Sequence, residues 1–164
     1  MFLTFLGAAH EVTGSCYLLE TDPSTTLGAS KRILIDCGMW QGSDFNEGKN
    51  FDPLPFDAAS LDAVLVTHAH LDHTGRIPKI VKDGFKGKIY ATKATCELAR
   101  IVWEDAYGIM EYDHRKFQYP ILYSSLDIEA AVTHCVGVDY GKKVDLGDGI
   151  TAVWKDAGHI FGAA

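Results

Sequence analysis

Apolar and polar positions along this chain alternate in short runs at both ends, and they take up helical spacing mainly through the middle. Residues 2–6 and 16–20 alternate or run apolar and predict two strands of a meander. Residues 32–35 predict a third strand, ending in Asp36-Cys37-Gly38. Residues 63–66 are apolar and uncharged, the pattern of a strand buried on both faces. Residues 76–83 predict a short helix, with Pro78 tolerated in its first turn and Gly84 as its stop. Residues 88–91 predict another strand. From Thr92 to about Met110, Leu98, Ile101, Val102 and Ile109 mix with acidic residues on the far face and predict the longest helix. Residues 125–134 predict a third helix, capped by Ser124 or Ser125. Residues 136–138, 143–146 and 150–155 read as strands, the last two joined by Gly147-Asp148-Gly149.

Strands first, then alternating helix and strand, then strands again make an α/β (α+β) sandwich: a mixed sheet with flanking helices. The links vary in what they imply. Residues 7–15 are small, so their amides can approach a ligand closely, or they form an ordinary turn. Residues 21–30 predict a polar hairpin tip. Residues 39–57, irregular and containing Gly42, Gly48, Pro53 and Pro55, have the length of a functional or mobile loop. Residues 111–119 are polar and aromatic and either cover a site or lie exposed; His114 among them reads as a surface residue.

The stretch Thr67-His68-Ala69-His70-Leu71-Asp72-His73-Thr74-Gly75 changes the picture, because it sets three histidines and an aspartate within six residues where a buried strand leaves the sheet. Imidazole and carboxylate are the ligands used by zinc, iron and manganese sites. Alternation in an extended segment points His68 and His70 the same way, toward one ion. Asp72 and His73, at the turn into the next helix, then face a second. Asp36 also needs a partner, since a carboxylate at the end of an apolar strand is costly to bury unpaired. It reads as a ligand, as an acceptor that orients a histidine, or as a plain turn residue.

The 164 residues are 47% apolar and 23% charged, ordinary for one domain with a sizeable core. No apolar run has the length of a membrane span, and residues 1–6 lack the basic region of a signal peptide. The cysteines, Cys16, Cys37, Cys96 and Cys135, are widely spaced and read as reduced, mostly buried thiols of a cytoplasmic protein. The formal charge of −7 argues against a strong non-specific grip on nucleic acid. Locally, Arg76, Lys79, Lys82, Lys86 and Lys88 form a basic concentration that either steers a phosphate backbone or is a solvated helix face.

Asp36 at a strand end, the run Thr67–Gly75 and His159 in Ala-Gly-His-Ile-Phe-Gly resemble the first three motifs of the metallo-β-lactamase superfamily. Gly-Ala-Ala-His-Glu-Val-Thr-Gly-Ser-Cys, Asp-Cys-Gly-Met-Trp-Gln-Gly and Gly75-Arg76-Ile77-Pro78 are similar to its β-CASP branch of RNA-processing nucleases, related to the factor that cleaves mRNA 3′ ends. The resemblance implies an αββα sandwich in which His68, His70 and His159 hold one zinc and Asp72 and His73 belong to a second. It implies that Asp36 orients the ligands from beneath; Asp72, as a ligand able to accept a water proton, is then the catalytic candidate, and within the basic concentration Arg76 and Lys79 are the candidates to face nucleic acid. The partner it implies is single-stranded RNA, with no membrane. A bridging aspartate and a further histidine of the branch are absent from residues 1–164. The expectation is therefore an N-terminal portion of a longer domain, binding about one zinc, inactive alone and prone to self-association through an exposed sheet face. The alternatives are a metallohydrolase of small esters, thioesters or lactones, and a non-catalytic metal-binding scaffold.

Overall fold

The computed structural model describes residues 1–21 and 30–164; the hairpin tip expected at 21–30 falls, apart from its two end residues, outside them. Six strands form one mixed sheet in sequence order: β1 (Phe2–Gly7), β2 (Cys16–Glu20), β3 (Arg32–Cys37), β4 (Ala63–Leu65), β5 (Lys88–Thr92) and β6 (Cys135–Val138). The first three pair antiparallel, as a meander must, and β3 to β6 run parallel because a helix or long loop carries the chain back each time. β7 (Lys143–Asp145) and β8 (Thr151–Val153) form a separate antiparallel ribbon. Short helices α1 (Asp44–Gly48), α2 (Leu71–Thr74) and α3 (Ile77–Lys82) precede the long α4 (Lys93–Phe117) and α5 (Ser125–His134).

Strand register divides the sheet into two faces. Leu18, Leu34, Val64 and Ile89 stand opposite one another on adjacent strands and are buried against Ile77, Ile80, Phe85, Trp103 and Ile128 of the helical layer. The next row, Phe5, Tyr17, Ile35, Leu65 and Tyr90, points the other way. The β7–β8 ribbon begins a second layer over that face. Buried Trp154 stacks near Tyr90, with ring centroids 6.5 Å apart, and donates its indole N–H to Val66 O at 3.0 Å. At the β1 edge the row stays open, with Phe5 61% exposed.

The helix expected at 76–83 forms as α3, capped by Arg76 and Asp83, and the single turn α2 over Leu71–Thr74 precedes it. Two elements differ from the sequence pattern. Residues 39–57 are not wholly irregular but hold α1 and a single-turn 3-10 helix, Lys49–Phe51, with a second, Ala58–Ser60, directly after them. Asn50 fastens that loop, its side chain pairing with both N–H and C=O of Trp40 at 2.9 and 2.8 Å. Finally, α4 does not stop near Met110. Residues 111–117 are its last turns and lie mostly exposed, the second of the two expectations for this segment. It contains no proline or glycine, and Arg115 and Lys116 set positive charge at the helix C-terminus, where the macrodipole favours it. Among the described residues, no helix is long and apolar enough to cross a membrane.

Removing Trp154 deletes both the ribbon's anchor and its hydrogen bond to Val66 O, one residue past β4. Trp154→Ala should lower unfolding free energy by about 3–5 kcal/mol in a urea titration. A loss under about 1 kcal/mol would mean that the ribbon is not fastened this way.

Candidate metal centre

The site is built where the C-terminal ends of parallel β3 and β4 lie side by side, the position at which open α/β sheets bind ligands. Beyond β4 the chain runs extended to His70, which has β-region dihedrals as the N-cap of α2. Backbone bonds tie this loop to the neighbouring strand ends. Ser15 N–H donates to Asp72 O at 2.8 Å, Met39 N–H to Leu71 O at 3.0 Å and Arg76 N–H to Cys37 O at 2.8 Å. Gly38 lets the two segments touch, since a Cβ there would sit 1.6 Å from Asp72 O.

Asp36, 1% exposed and in the left-handed region with φ of 57°, is the acceptor around which the donors gather. Its Oδ1 accepts from Thr67 N–H, and its Oδ2 accepts from the Thr67 hydroxyl, each at 2.8 Å. Oδ2 also lies 2.8 Å from His73 Nδ1, which must donate to it. His73 therefore carries a proton on Nδ1, so that in the neutral ring Nε2 is the lone pair. Burial opposes protonation of this ring, but the hydrogen bond and charge of Asp36, helped by Asp72, outweigh it and raise its pKa. The Thr67 hydroxyl, its proton committed to Asp36, accepts from His68 Nδ1 at 3.0 Å. So His68 also presents an unprotonated Nε2. Burial, then the neighbouring rings of His73, His70 and His159, pushes its pKa down to about 4.

His68 Nε2 lies 3.1 Å from His70 Nδ1, which in turn lies 3.2 Å from His159 Nε2. The three rings stand nearly perpendicular to one another, with centroids 4.8 to 4.9 Å apart. One potential ligand atom from each lies within 4.8 Å of the other two. Zinc–nitrogen bonds of about 2.0–2.1 Å in a tetrahedral site set nitrogens about 3.3 Å apart. The spacing fits, and a cation would satisfy converging lone pairs that three neutral imidazoles cannot all satisfy among themselves. Beside this trio, His73 packs on His68 with centroids 4.0 Å apart, and its Nε2 lies 3.8 Å from Asp72 Oδ2. Asp72 and His73 thus form an adjoining pair.

His159 arrives on a loop held in place by residues that the sequence did not single out. Thr92 and Thr95 both donate to Gly162 O, at 2.7 and 2.9 Å, while Tyr140 donates to Ala163 O at 2.9 Å. Ala164 N–H closes onto Thr67 O at 2.9 Å, next to His68. No local pattern marks these positions: the two threonines read only as a helix start.

The basic concentration is largely spent on structure, which corrects the expectation for Arg76. That residue is 2% exposed, donates from Nε to Gly38 O at 2.6 Å and stacks its guanidinium 4.0 Å above the Trp40 ring. It braces the loop and has no exposed head for a phosphate. Lys79 pairs with Asp83 at 2.6 Å, and Lys82 donates to Leu122 O at 3.0 Å. His114 bonds Tyr119 O at the end of α4, away from the trio. Of the cysteines, Cys16 and Cys37 are buried as cross-strand neighbours, and Cys96 and Cys135 are half-buried; all are free thiols. A pocket of about 550 Å³ between residues 39–51 and the end of α4 has Leu71 in its wall but none of the ligand candidates.

A family model described as the metallo-beta-lactamase superfamily matches residues 11–154. The chain is 42% identical over 158 residues to Ribonuclease TTHA0252 of Thermus thermophilus, covering 96% of this chain and 32% of that protein. It is 36% identical over 162 residues to Transcription termination factor FttA of Methanocaldococcus jannaschii, covering 99% and 24% respectively. The chain thus spans about a third and about a quarter of these relatives' lengths. Among solved structures, the subclass B3 metallo-beta-lactamase BJP-1 of Bradyrhizobium japonicum aligns with a TM-score of 0.53 at 23% identity, over 98% of this chain and 51% of that one. A likeness at that identity concerns the fold.

Asp36→Asn tests the wiring. An amide offers one acceptor atom to three donors, so at least one histidine loses its fixed tautomer. Metal affinity, measured by competition with a chromogenic chelator, should fall about 10- to 100-fold. An unchanged affinity would remove Asp36 from the site.

Proposed function

Because this chain belongs to the metallo-beta-lactamase superfamily, we propose that it carries the first metal-binding portion of a zinc-dependent nuclease hydrolysing phosphodiester bonds of single-stranded RNA. The observation that carries the reading is the convergence of His68, His70 and His159, with ring nitrogens 3.1 and 3.2 Å apart. The ribonuclease relative, matched across nearly the whole chain, supports RNA as the substrate. The free thiols suit a cytoplasmic protein.

In this reading His68 Nε2, His70 Nδ1 and His159 Nε2 hold the first zinc. His73 Nε2 and Asp72 Oδ2 supply two donors toward a second. Bound zinc supplies Lewis acidity, acidifying water and neutralising charge that develops on phosphoryl oxygens. Asp72 would take up the water's proton on Oδ1, with Oδ2 left to the ion, and return it to the leaving oxygen. Through its bonds to Thr67 and His73, Asp36 sets the ring proton on Nδ1 and so leaves Nε2 of each neutral ring to the ion. Two donors make a poor second site, so residues 1–164 alone bind about one zinc and cleave little.

Two outcomes test this. The isolated chain should hold about one zinc and leave single-stranded RNA and p-nitrophenyl esters intact. The same chain, substituted for its matching region in the Thermus ribonuclease, should cleave RNA in a chelator-sensitive way, and Asp72→Asn should silence it. A folded, zinc-loaded chimaera without RNA cleavage, or chelator-sensitive ester hydrolysis by the isolated chain, would contradict the proposal.

The open sheet edge carries a separate expectation. Leu3 and Phe5, exposed at 48% and 61%, continue the apolar row of the face that the ribbon leaves bare. Such a patch favours self-association of the chain. Light scattering should show mass rising with concentration, and Phe5→Lys should reverse it; a monomer at all concentrations would count against this.

A further inference from the structure

We propose that Cys96 and Cys135 are a reversible disulfide site, closed by a small-molecule disulfide of the glutathione class and reopened by thiol. Cys135 opens β6 in register with Ile89, whose side chain is buried under the helical layer, so Cys135 points into that layer too. Gly137 lies two residues on, on the same strand face, and there β6 meets α4. A Cβ on Gly137 would sit 2.7 Å from Lys93 Cγ and 3.3 Å from Lys93 Cα. Cys96 is one helical turn beyond Lys93 and shares its face. The two surfaces that touch at Lys93 and Gly137 thus carry one thiol each. Each thiol is also the largest influence on the other. Contact with Cys135 holds Cys96 below the usual thiol range, whereas contact with Cys96, then burial, pushes Cys135 up.

Both residues are half-buried, so a small reagent can reach them. Cys96 reacts first, as the thiol whose ionised form is favoured. Its thiolate attacks one sulfur of the small disulfide and expels the other as a thiolate, leaving a mixed disulfide. Cys135 then gives up its proton and attacks Cys96 Sγ, expelling the second small thiolate. Two cysteine thiols have lost two electrons and two protons, and one small disulfide has become two thiols. Cys16 and Cys37 are likewise neighbours, as register partners on β2 and β3, but at 1% and 0% exposure they are closed to such a reagent. The Cys96–Cys135 bridge fastens the first turn of α4 to β6. That turn includes Thr95, which donates to Gly162 O at 2.9 Å and so holds the loop of His159.

The experiment equilibrates the purified, folded chain with a series of reduced-to-oxidised glutathione ratios. Acid quenching, alkylation and mass spectrometry of non-reduced tryptic peptides then map the bonds formed. The oxidising end should show Cys96 joined to Cys135, with Cys16 and Cys37 still reduced, and excess thiol should reverse it. The bridged chain should melt about 5–10 °C above the reduced one. Cys135→Ser should trap a glutathione adduct at Cys96, and Cys96→Ser should form its adduct at Cys135 about tenfold more slowly. A bridge between Cys16 and Cys37, glutathione adducts without an internal bridge, or thiols all reduced at the most oxidising ratio overturns the proposal. So does a bridge that leaves the melting temperature unmoved, or an adduct that forms faster at Cys135 than at Cys96. No readout uses RNA or metal, so this result and the nuclease assignment stand or fall separately.

Discussion

A single buried carboxylate does most to organise this site. Asp36 has three donors at 2.8 Å, and each is a piece of the metal loop: the amide and hydroxyl of Thr67 and the ring of His73. Burying an ionised carboxylate costs several kcal/mol unless such donors replace its water. The same bonds that make its burial tolerable dictate proton positions, directly at His73 and through Thr67 at His68. Asp36 also occupies a left-handed backbone conformation, which side-chain-bearing residues adopt only when their surroundings over-determine it. Strain and desolvation are thus concentrated at one position, offset by a network that leaves two imidazole lone pairs facing outward.

The rest of the fold serves to bring the partners of that carboxylate within reach. Parallel pairing of β3 and β4 sets Ile35 opposite Leu65, so Asp36 and Thr67 emerge side by side. The helical layer buries Leu34 and Val64 one position earlier and locks that register, since a slip by one residue would turn every apolar side chain to the wrong face. At the other end of the chain, α4 acts at a distance. Its first turn, through Thr92 and Thr95, grips the Gly162 carbonyl and so delivers His159 to rings 89 and 91 residues earlier in the sequence.

Much of this was legible in the sequence, for reasons that can be stated. The strands showed because alternation and charge-free runs are local properties. The clustered histidines showed because spacing alone brings them together. His159 was legible only through resemblance, since a histidine between glycine and isoleucine carries no local mark. What stayed hidden depends on contacts across long separations. Arg76 reads as a surface cation until Trp40 and the Gly38 carbonyl are seen to enclose it. Thr92, Thr95 and Tyr140 are ordinary polar residues in sequence, and their roles appear only with the partners they meet. The overrun of α4 was missed because its last turns are polar all round, so helical periodicity of apolar residues fades there while helix propensity does not.

The account stands on three imidazoles sharing one ion. X-ray absorption at the zinc edge, on the purified chain loaded with one equivalent, tests this most directly. The account predicts three imidazole nitrogens at about 2.0–2.1 Å, falling to two in His159→Ala. A first shell containing sulfur, or one unchanged by His159→Ala, would contradict it.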